Sequence, residues 1–286
     1  MPELRSLVAE ELNLPVDPKV RSAAEAIAAR HGGASRSVLF YGSCLREKRL
    51  DGLMLDFYLI VSDYRAAYEK GWLAVLNRLI PPNVFYFESD GLVAKYAVLS
   101  QPDFLRLAGP GTSNVSVWAR FAQPSRLVWA ADERARDLAL EAVAKAAPTL
   151  LAAAGPRAGE DPLSLWRRAF ALTYGAELRA ERKGRAGSVV DLDPDRYLRF
   201  SGPALDVASS LRPNKSWAWR RVEGKVLSVV RLAKASLTFA GGADYIAWKI
   251  NRHAGTDIKL KPWQRRHPLL AGLSLLPRLL RSGAVR

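Results

Sequence analysis

The chain has 286 residues, 49% of them apolar and 25% charged, with eight tryptophans, which excludes an intrinsically disordered polypeptide and allows one large domain or two modest ones. A single cysteine, Cys44, excludes an intrachain disulfide, the three histidines lack metal-ligand spacing, and no apolar run approaches the ~20 residues that span a bilayer. The formal charge of +15 is uneven: residues 212–286 hold 16 Lys and Arg against three acids, and residues 1–211 hold 27 against 25, so a near-neutral body carries a basic final quarter suited to anionic partners.

Residues 1–18 lack the apolar core of a secretory signal, and a reducing, cytoplasmic setting is expected. Residues 3–12 and 18–31 are predicted as helices parted by the Pro15–Pro18 stretch. Ser37–Tyr41 is a short buried strand that runs into Gly42-Ser43. Residues 44–53 are polar and predicted as a loop. Met54–Val61 is a second strand, β-branched and aromatic, with Asp56 inside it. Over residues 64–80, Tyr68, Trp72, Val75, Leu76 and Leu79 fall at helical spacing, and Pro81-Pro82-Asn83 stops that helix. Val84–Phe87 and Leu92–Leu99 are strands joined by a hairpin turn at Glu88–Gly91. Within 113–129 a helix precedes a short strand at Arg126–Trp129. The remainder is helical over 132–153, 161–182 and 203–240, with Gly155–Gly159 as a weak linker. The expected fold class is α+β: a mixed sheet with helices over residues 1–131, a mostly helical domain over 132–240, and a basic amphipathic segment over 241–286.

The informative constellation is Tyr41-Gly42-Ser43 followed by Asp56, a Gly-to-Asp separation of 14 positions. In nucleotidyltransferases of the polymerase-β type, a Gly-Ser turn follows the first strand, and its amides and hydroxyl form a nest for triphosphate oxygens. A second strand then supplies carboxylate for Mg2+, which neutralises the triphosphate. An acid among Leu55, Phe57, Leu59 and Ile60 needs a reason, because an unpaired buried carboxylate is costly. Pairing with an arginine, or capping a neighbouring loop, is the alternative reason. Where the superfamily has Asp-x-Asp, Tyr58 stands at the second position. That leaves three options: a second ligand from elsewhere, a single protein carboxylate, or an inactive site.

Several stretches together resemble one family, the mitochondrial translocator assembly and maintenance protein, a phosphatidate cytidylyltransferase, with its bacterial relatives. Tyr41-Gly42-Ser43 resembles its Tyr-Gly-Ser, and Met54-Leu55-Asp56-Phe57 its Met-(Leu/Ile)-Asp-Phe, which likewise lacks the second Asp. Lys95-Tyr96-Ala97-Val98-Leu99-Ser100 is similar to its Lys-Tyr-Gly-Val-Ile-Ser. Ala119-Arg120-Phe121-Ala122-Gln123-Pro124 is similar to its Gly-Arg-Leu-Gln-Lys-Pro. Leu172 to Arg179 resembles Leu-Ser-Tyr-x-Gly-Asp-x-Arg with Glu177 in place of Asp, and Lys234 to Gly241 is a looser echo of Lys-Gly-x-x-Thr-Ala-Gly. The resemblance implies Mg2+-dependent transfer of CMP from CTP to phosphatidic acid, giving the CDP-diacylglycerol of phospholipid biosynthesis and pyrophosphate. It also implies a nucleotidyltransferase domain, a helical domain and a C-terminal membrane-binding segment.

Under that resemblance Asp56 is the metal ligand, and Tyr41, Gly42 and Ser43 hold phosphate. Lys95 is a cation on the triphosphate or attacking phosphate, or else an edge-strand lysine with a solvated head. Arg120 is a bidentate phosphate clamp or a surface arginine. Tyr174, Glu177 and Arg179 share one helix, with Glu177 as second metal ligand or general base, or else a packed tyrosine beside two exposed charges. Lys234 is a further phosphate cation or a bland lysine. Cys44, with no histidine near it in sequence, is expected as a small buried hydrophobe. Asp191, Asp193 and Asp195 are expected in a solvated turn rather than a cation site.

Residues 245–286 mix Trp248 and Trp263 with Arg265, Arg266 and other cations around a short apolar run. This pattern suits an interfacial segment on an anionic membrane surface, peripheral on its inner face. A domain-closing helix or an oligomer contact is the alternative. Two competing functions stay open: a nucleotidyltransferase acting on RNA, protein or a small soluble acceptor, and a non-catalytic membrane-associated scaffold. Nucleic acid is disfavoured because the tail is apolar and shows no base-stacking module.

Overall fold

In the computed structural model the described residues are 2–47, 53–89, 91–178, 189–213 and 215–238, together with 251, 259, 261, 262 and 264. Five strands form one mixed sheet: β1 (Ser35–Tyr41), β2 (Met54–Val61), β3 (Asn83–Ser89), β4 (Leu92–Ser100) and β5 (Ser125–Ala130), in the order β3-β4-β2-β1-β5. β2 and β4 are parallel and every other pair is antiparallel. The parallel pair is possible because the chain crosses from one to the other through α4 (Tyr64–Ala67), α5 (Gly71–Leu79) and β3.

The period-2 pattern of β2 sorts its side chains onto two faces. Leu55, Phe57, Leu59 and Val61 join Val38 and Phe40 in a core closed by Val20, Ala24 and Ile27 of α2 (Pro18–Ala29). Tyr58 and Ile60 join Leu39, Ala97 and Leu99 on the other face. That second core takes Leu4 and Leu12 from α1 (Pro2–Asn13), Phe104 from α6 (Gln101–Leu107) and Trp118 and Phe121 from α7 (Trp118–Phe121). It continues past residue 131 into Leu150 of α8 (Glu133–Ala154), Trp166 and Phe170 of α9 (Pro162–Ala176) and Tyr197 of α10 (Pro194–Ser210). Alternation places Asp56 on this second face, at its edge.

Several boundaries differ from the sequence expectation, each for a local reason. The polar stretch expected as a loop from residue 44 begins with a short helix, α3 (Ser43–Glu47). The helix expected over 64–80 is broken: Tyr68 is extended (φ −130°, ψ 128°), its hydroxyl accepts from buried Asn77, and the helix restarts at Gly71. The helix expected over 161–182 ends at Ala176, and Glu177 is extended (φ −110°, ψ 153°) rather than helical. The span 203–240 is two helices, α10 and α11 (Trp217–Thr238), with Pro213 between them. α10 starts earlier than expected because Asp193 caps it, accepting from the Arg196 N–H, while Asp191 pairs with Arg167 at 2.8 Å.

One buried ion pair fastens α1 to α10. Arg196 donates to both oxygens of Glu11, Nη2 to Oε1 at 3.0 Å, and its Nη1 donates to the Ala122 carbonyl at 3.1 Å. Its guanidinium lies 4.4 Å from the Phe200 ring centre. Truncating one member leaves the other buried and uncompensated, so Glu11→Ala is expected to cost ~3–5 kcal/mol in urea unfolding. Replacing both, as Glu11→Leu with Arg196→Met, is expected to recover most of that loss. Equal losses for the single and double variants would show that the pair's charge is not what matters there.

Candidate functional site: a charged row at the sheet end

Three adjacent strands bring Tyr41, Asp56 and Lys95 level. Tyr41 opposes Asp56 in the β1–β2 ladder, and Asp56 opposes Lys95 in the parallel β2–β4 ladder. Because β4 lies between β3 and β2, Lys95 is on an interior strand, not an edge. Directly after Tyr41, Gly42 has φ +95°, and a Cβ added there would sit 2.6 Å from Asp56 Oδ2. Glycine is needed twice over, for its left-handed backbone and for the room that the carboxylate takes. Ser43 then opens α3, so the strand-to-helix turn is folded against Asp56.

Lys95 Nζ lies 2.9 Å from Asp56 Oδ1, with 25% and 17% of the two side chains exposed. Oδ1 itself is buried and accepts no well-aligned hydrogen bond. Beneath the row is an aromatic floor: Tyr41 and Tyr58 have ring centres 5.3 Å apart, and Phe121 is 5.2 Å from Tyr58. Burial, followed by the charge of Asp56, raises the Tyr41 phenol above its ordinary range and keeps it protonated.

The helices supply the rest of the row. Arg120 of α7 donates to the Ser116 carbonyl, and its Nη1 lies 3.6 Å from Glu177 Oε1. Burial disfavours the Arg120 charge, but the carboxylates of Glu177 and Asp56 outweigh burial and raise its pKa. Arg231 of α11 donates from Nε and Nη2 to the Pro81 carbonyl at 3.0 and 2.7 Å and from Nη1 to Ser116 Oγ at 3.0 Å, and burial lowers its pKa against the opposing charge of Glu177. Lys95 thus pairs with Asp56 and Arg120 with Glu177, and Arg231 brings a third cation under the influence of Glu177.

Glu177 is held by a close helix crossing. Gly224 of α11 lies so near α9 that a Cβ would overlap the Ala176 carbonyl oxygen. On the other side of Glu177, the Leu178 N–H donates to Ser228 Oγ at 3.2 Å, and that hydroxyl donates to the Gly224 carbonyl at 2.7 Å. The residues before and after Glu177 are both pinned to α11, and its side chain is turned inward, 9% exposed.

The structure therefore gathers Tyr41, Gly42, Ser43, Asp56, Lys95, Arg120 and Glu177. Lys234 is directed elsewhere: its ammonium donates to the carbonyls of Ile80 and Pro82, the latter at 2.7 Å. Burial, then the neighbouring Arg231, push its pKa down to about 7. Tyr174 is half-buried and packs against the second core. Arg179, Trp248, Trp263, Arg265 and Arg266 lie outside the described residues. Arg231, Gly224 and Ser228 were not anticipated. The signal for Arg231 was its place three residues before Lys234, one turn away on the same helix. Cys44 is buried, its thiol donating to the Met54 carbonyl at 3.4 Å. His31 is packed between the Ala67 carbonyl and the Tyr96 hydroxyl. Among the described residues no group of three or more His, Cys, Asp or Glu could hold a metal.

No protein-family model and no curated protein matches this sequence. Among solved structures the chain is similar to a nucleotidyltransferase-like protein from Exiguobacterium sibiricum, at 13% identity, covering 92% of each chain, with a TM-score of 0.29, a superposition too loose to define a shared site.

Packing of the turn on the carboxylate predicts a cost at Gly42 beyond backbone strain. Gly91 also has a left-handed backbone (φ +74°) but nothing within 4 Å of an added Cβ. Gly91→Ala is therefore expected to cost ~1–2 kcal/mol in urea unfolding. Gly42→Ala should cost ~1–3 kcal/mol more, because Asp56 must also shift. Equal costs at the two positions would mean that Asp56 does not pack on the turn.

Proposed function

We propose that this chain is a Mg2+-dependent nucleotidyltransferase, and specifically a phosphatidate cytidylyltransferase that moves CMP from CTP to phosphatidic acid and releases pyrophosphate. The observation that carries the transferase reading is the Gly42 turn closed on Asp56, level with Lys95 on the neighbouring strand. In this reading the Gly42-Ser43 turn receives phosphate oxygens, and Lys95 and Arg120 neutralise them. Asp56 fits Mg2+, since Oδ1 is buried with no aligned hydrogen bond, and this ion is commonly held by one or two carboxylates plus substrate phosphates. When bound, Mg2+ supplies charge neutralisation at the triphosphate.

The residues in the row support a phosphomonoester acceptor. Glu177 is engaged by Arg120, so it serves here to fix that guanidinium rather than to take a proton. A phosphomonoester acceptor needs no base, because its oxygen is already ionised near neutral pH. That oxygen attacks the α-phosphorus, the bond from the α-phosphorus to its bridging oxygen breaks, and pyrophosphate leaves with the electron pair. The motifs shared with the lipid cytidylyltransferase family and the basic final quarter support phosphatidic acid as that phosphomonoester.

α11 supports an acceptor at an anionic membrane surface. Trp219, Val222, Val226, Val229 and Leu232 are exposed at spacings of three and four, with Arg221 and Lys225 exposed beside them. Among the described residues no helix is long and apolar enough to cross a membrane.

Incubation with labelled CTP, Mg2+ and phosphatidic acid vesicles is expected to give an extractable labelled lipid, and Asp56→Asn to lower the rate by ~100-fold or more. Labelling of a soluble acceptor in place of the lipid would reject the lipid reading and keep the transferase. Turnover unaffected by Asp56→Asn would reject the site. Val222→Glu with Val226→Glu is expected to weaken co-sedimentation with phosphatidic acid vesicles at low salt. Undiminished pelleting would remove α11 from the membrane contact.

A further inference from the structure

The Asp56–Lys95 pair determines more than charge balance. We infer that Lys95 is a built-in competitor for the divalent ion: the site refuses a bare dication and accepts one only together with a nucleoside triphosphate, whose phosphates take over the ammonium. This rests on the reading of Asp56 as the metal ligand.

Two features lead there. The first is register. Asp56 and Lys95 face each other within a parallel ladder that runs unbroken from Met54↔Val93 to Val61↔Ser100. Both strands are interior to the sheet, flanked by β1 and β3. Neither backbone can slide, so the ammonium is delivered to the carboxylate by the fold itself. The lysine stem, however, is a flexible four-carbon chain whose head is partly open to solvent, and its ammonium can turn to a new partner without moving the strand. Nζ is 2.9 Å from Oδ1, yet Oδ1 accepts no well-aligned hydrogen bond, so the contact is close in charge but loose in direction.

The second feature is the set of cations around the carboxylate. Lys95 sits on Asp56, Arg120 pairs with Glu177, and Arg231 is acted on by both Glu177 and Glu223. A hydrated dication approaching alone meets the Lys95 ammonium already seated on the carboxylate. A metal–triphosphate complex is anionic and brings phosphates that the ammonium can take instead. Arrival of the triphosphate also offers Lys95 a replacement anion, so releasing Asp56 leaves no uncompensated charge. Lys95 then has two successive partners, the carboxylate before nucleotide binds and a phosphate after.

The test uses Mn2+ as a spin-visible probe, titrated into the full-length protein and followed by electron paramagnetic resonance. α,β-Methylene CTP serves as an inert nucleotide, with Mn2+ held saturating when its affinity is measured. Lys95→Met is expected to bind Mn2+ alone ~10-fold more tightly than the wild type and the nucleotide ~10-fold more weakly, the scale of an ordinary coupling between two ligands. A merely structural lysine would weaken both when removed, so the opposite signs are diagnostic. Lys95→Gln serves as the second variant if thermal unfolding shows the methionine protein to be misfolded.

Mn2+ affinity in the lysine variants equal to or below that of the wild type would overturn the inference. The underlying site reading is judged separately with Asp56→Asn. Loss of Mn2+ binding there, combined with no gain on removing Lys95, keeps the metal at Asp56 and rejects only the competition. A tight site that persists in Lys95→Met with Asp56→Asn would place the ion elsewhere and reject both.

Discussion

The packing of one carboxylate against one glycine organises this end of the molecule. Asp56 is too polar for the face of β2 on which alternation puts it, and it is accommodated because the chain after Tyr41 turns sharply at Gly42 and lays backbone, not side chain, against Oδ2. Any side chain at position 42 would occupy that space. On the other flank, Lys95 arrives through strand register rather than through a loop. A backbone turn, a carboxylate and an ammonium are thus set by sheet geometry, the most rigid framework the fold has.

The helical half supplies what the sheet cannot. Arg120 comes from a short helix over the aromatic floor, Glu177 from the end of α9 and Arg231 from α11. Their placement depends on contacts far apart in sequence: Gly224 on Ala176, Ser228 on Leu178, and Arg231 on Pro81 and Ser116. Arg220 adds to this by donating to the carbonyls of Thr112 and Ser113 from a buried position beside Trp118. α11 therefore works as a brace across the open end of the row. Its polar anchors end on backbone carbonyls, a backbone N–H or a hydroxyl, which favours rigid placement because such groups leave little rotamer freedom.

What could be read from the sequence tracks how local the cause was. The five strands and the helices α1, α2 and α8 were legible, because each is marked by its own apolar pattern and by a proline, glycine or aspartate near an end. Gly42 and Asp56 were legible from their spacing after one strand and within the next, and Lys95 chiefly through the family resemblance. The end of α9 was not. Nothing in Tyr174 to Arg179 marks a stop, and the helix ends where α11, some fifty residues on, captures the Leu178 N–H. Arg231 and Lys234 illustrate the same limit from the other side. One helix turn carries both cations, yet the first bridges Pro81 and Ser116 and the second anchors the turn at Ile80 and Pro82.

Tyr58 explains why a second aspartate is missing two positions after Asp56. Its ring is 2% exposed, wedged between Tyr41 and Phe121 on the face that leads straight into the second core. Burial raises its phenol pKa, so the group stays neutral. A carboxylate in that place would be shorter than the ring, would open a void against Phe121, and would sit ionised in an apolar layer. The packing that supports Asp56 therefore excludes a twin at position 58. With one carboxylate in place of two, the charge at this end is carried largely by guanidinium and ammonium groups. That is the chemistry the row offers, with arginines brought in by α7 and α11 and a lysine by β4.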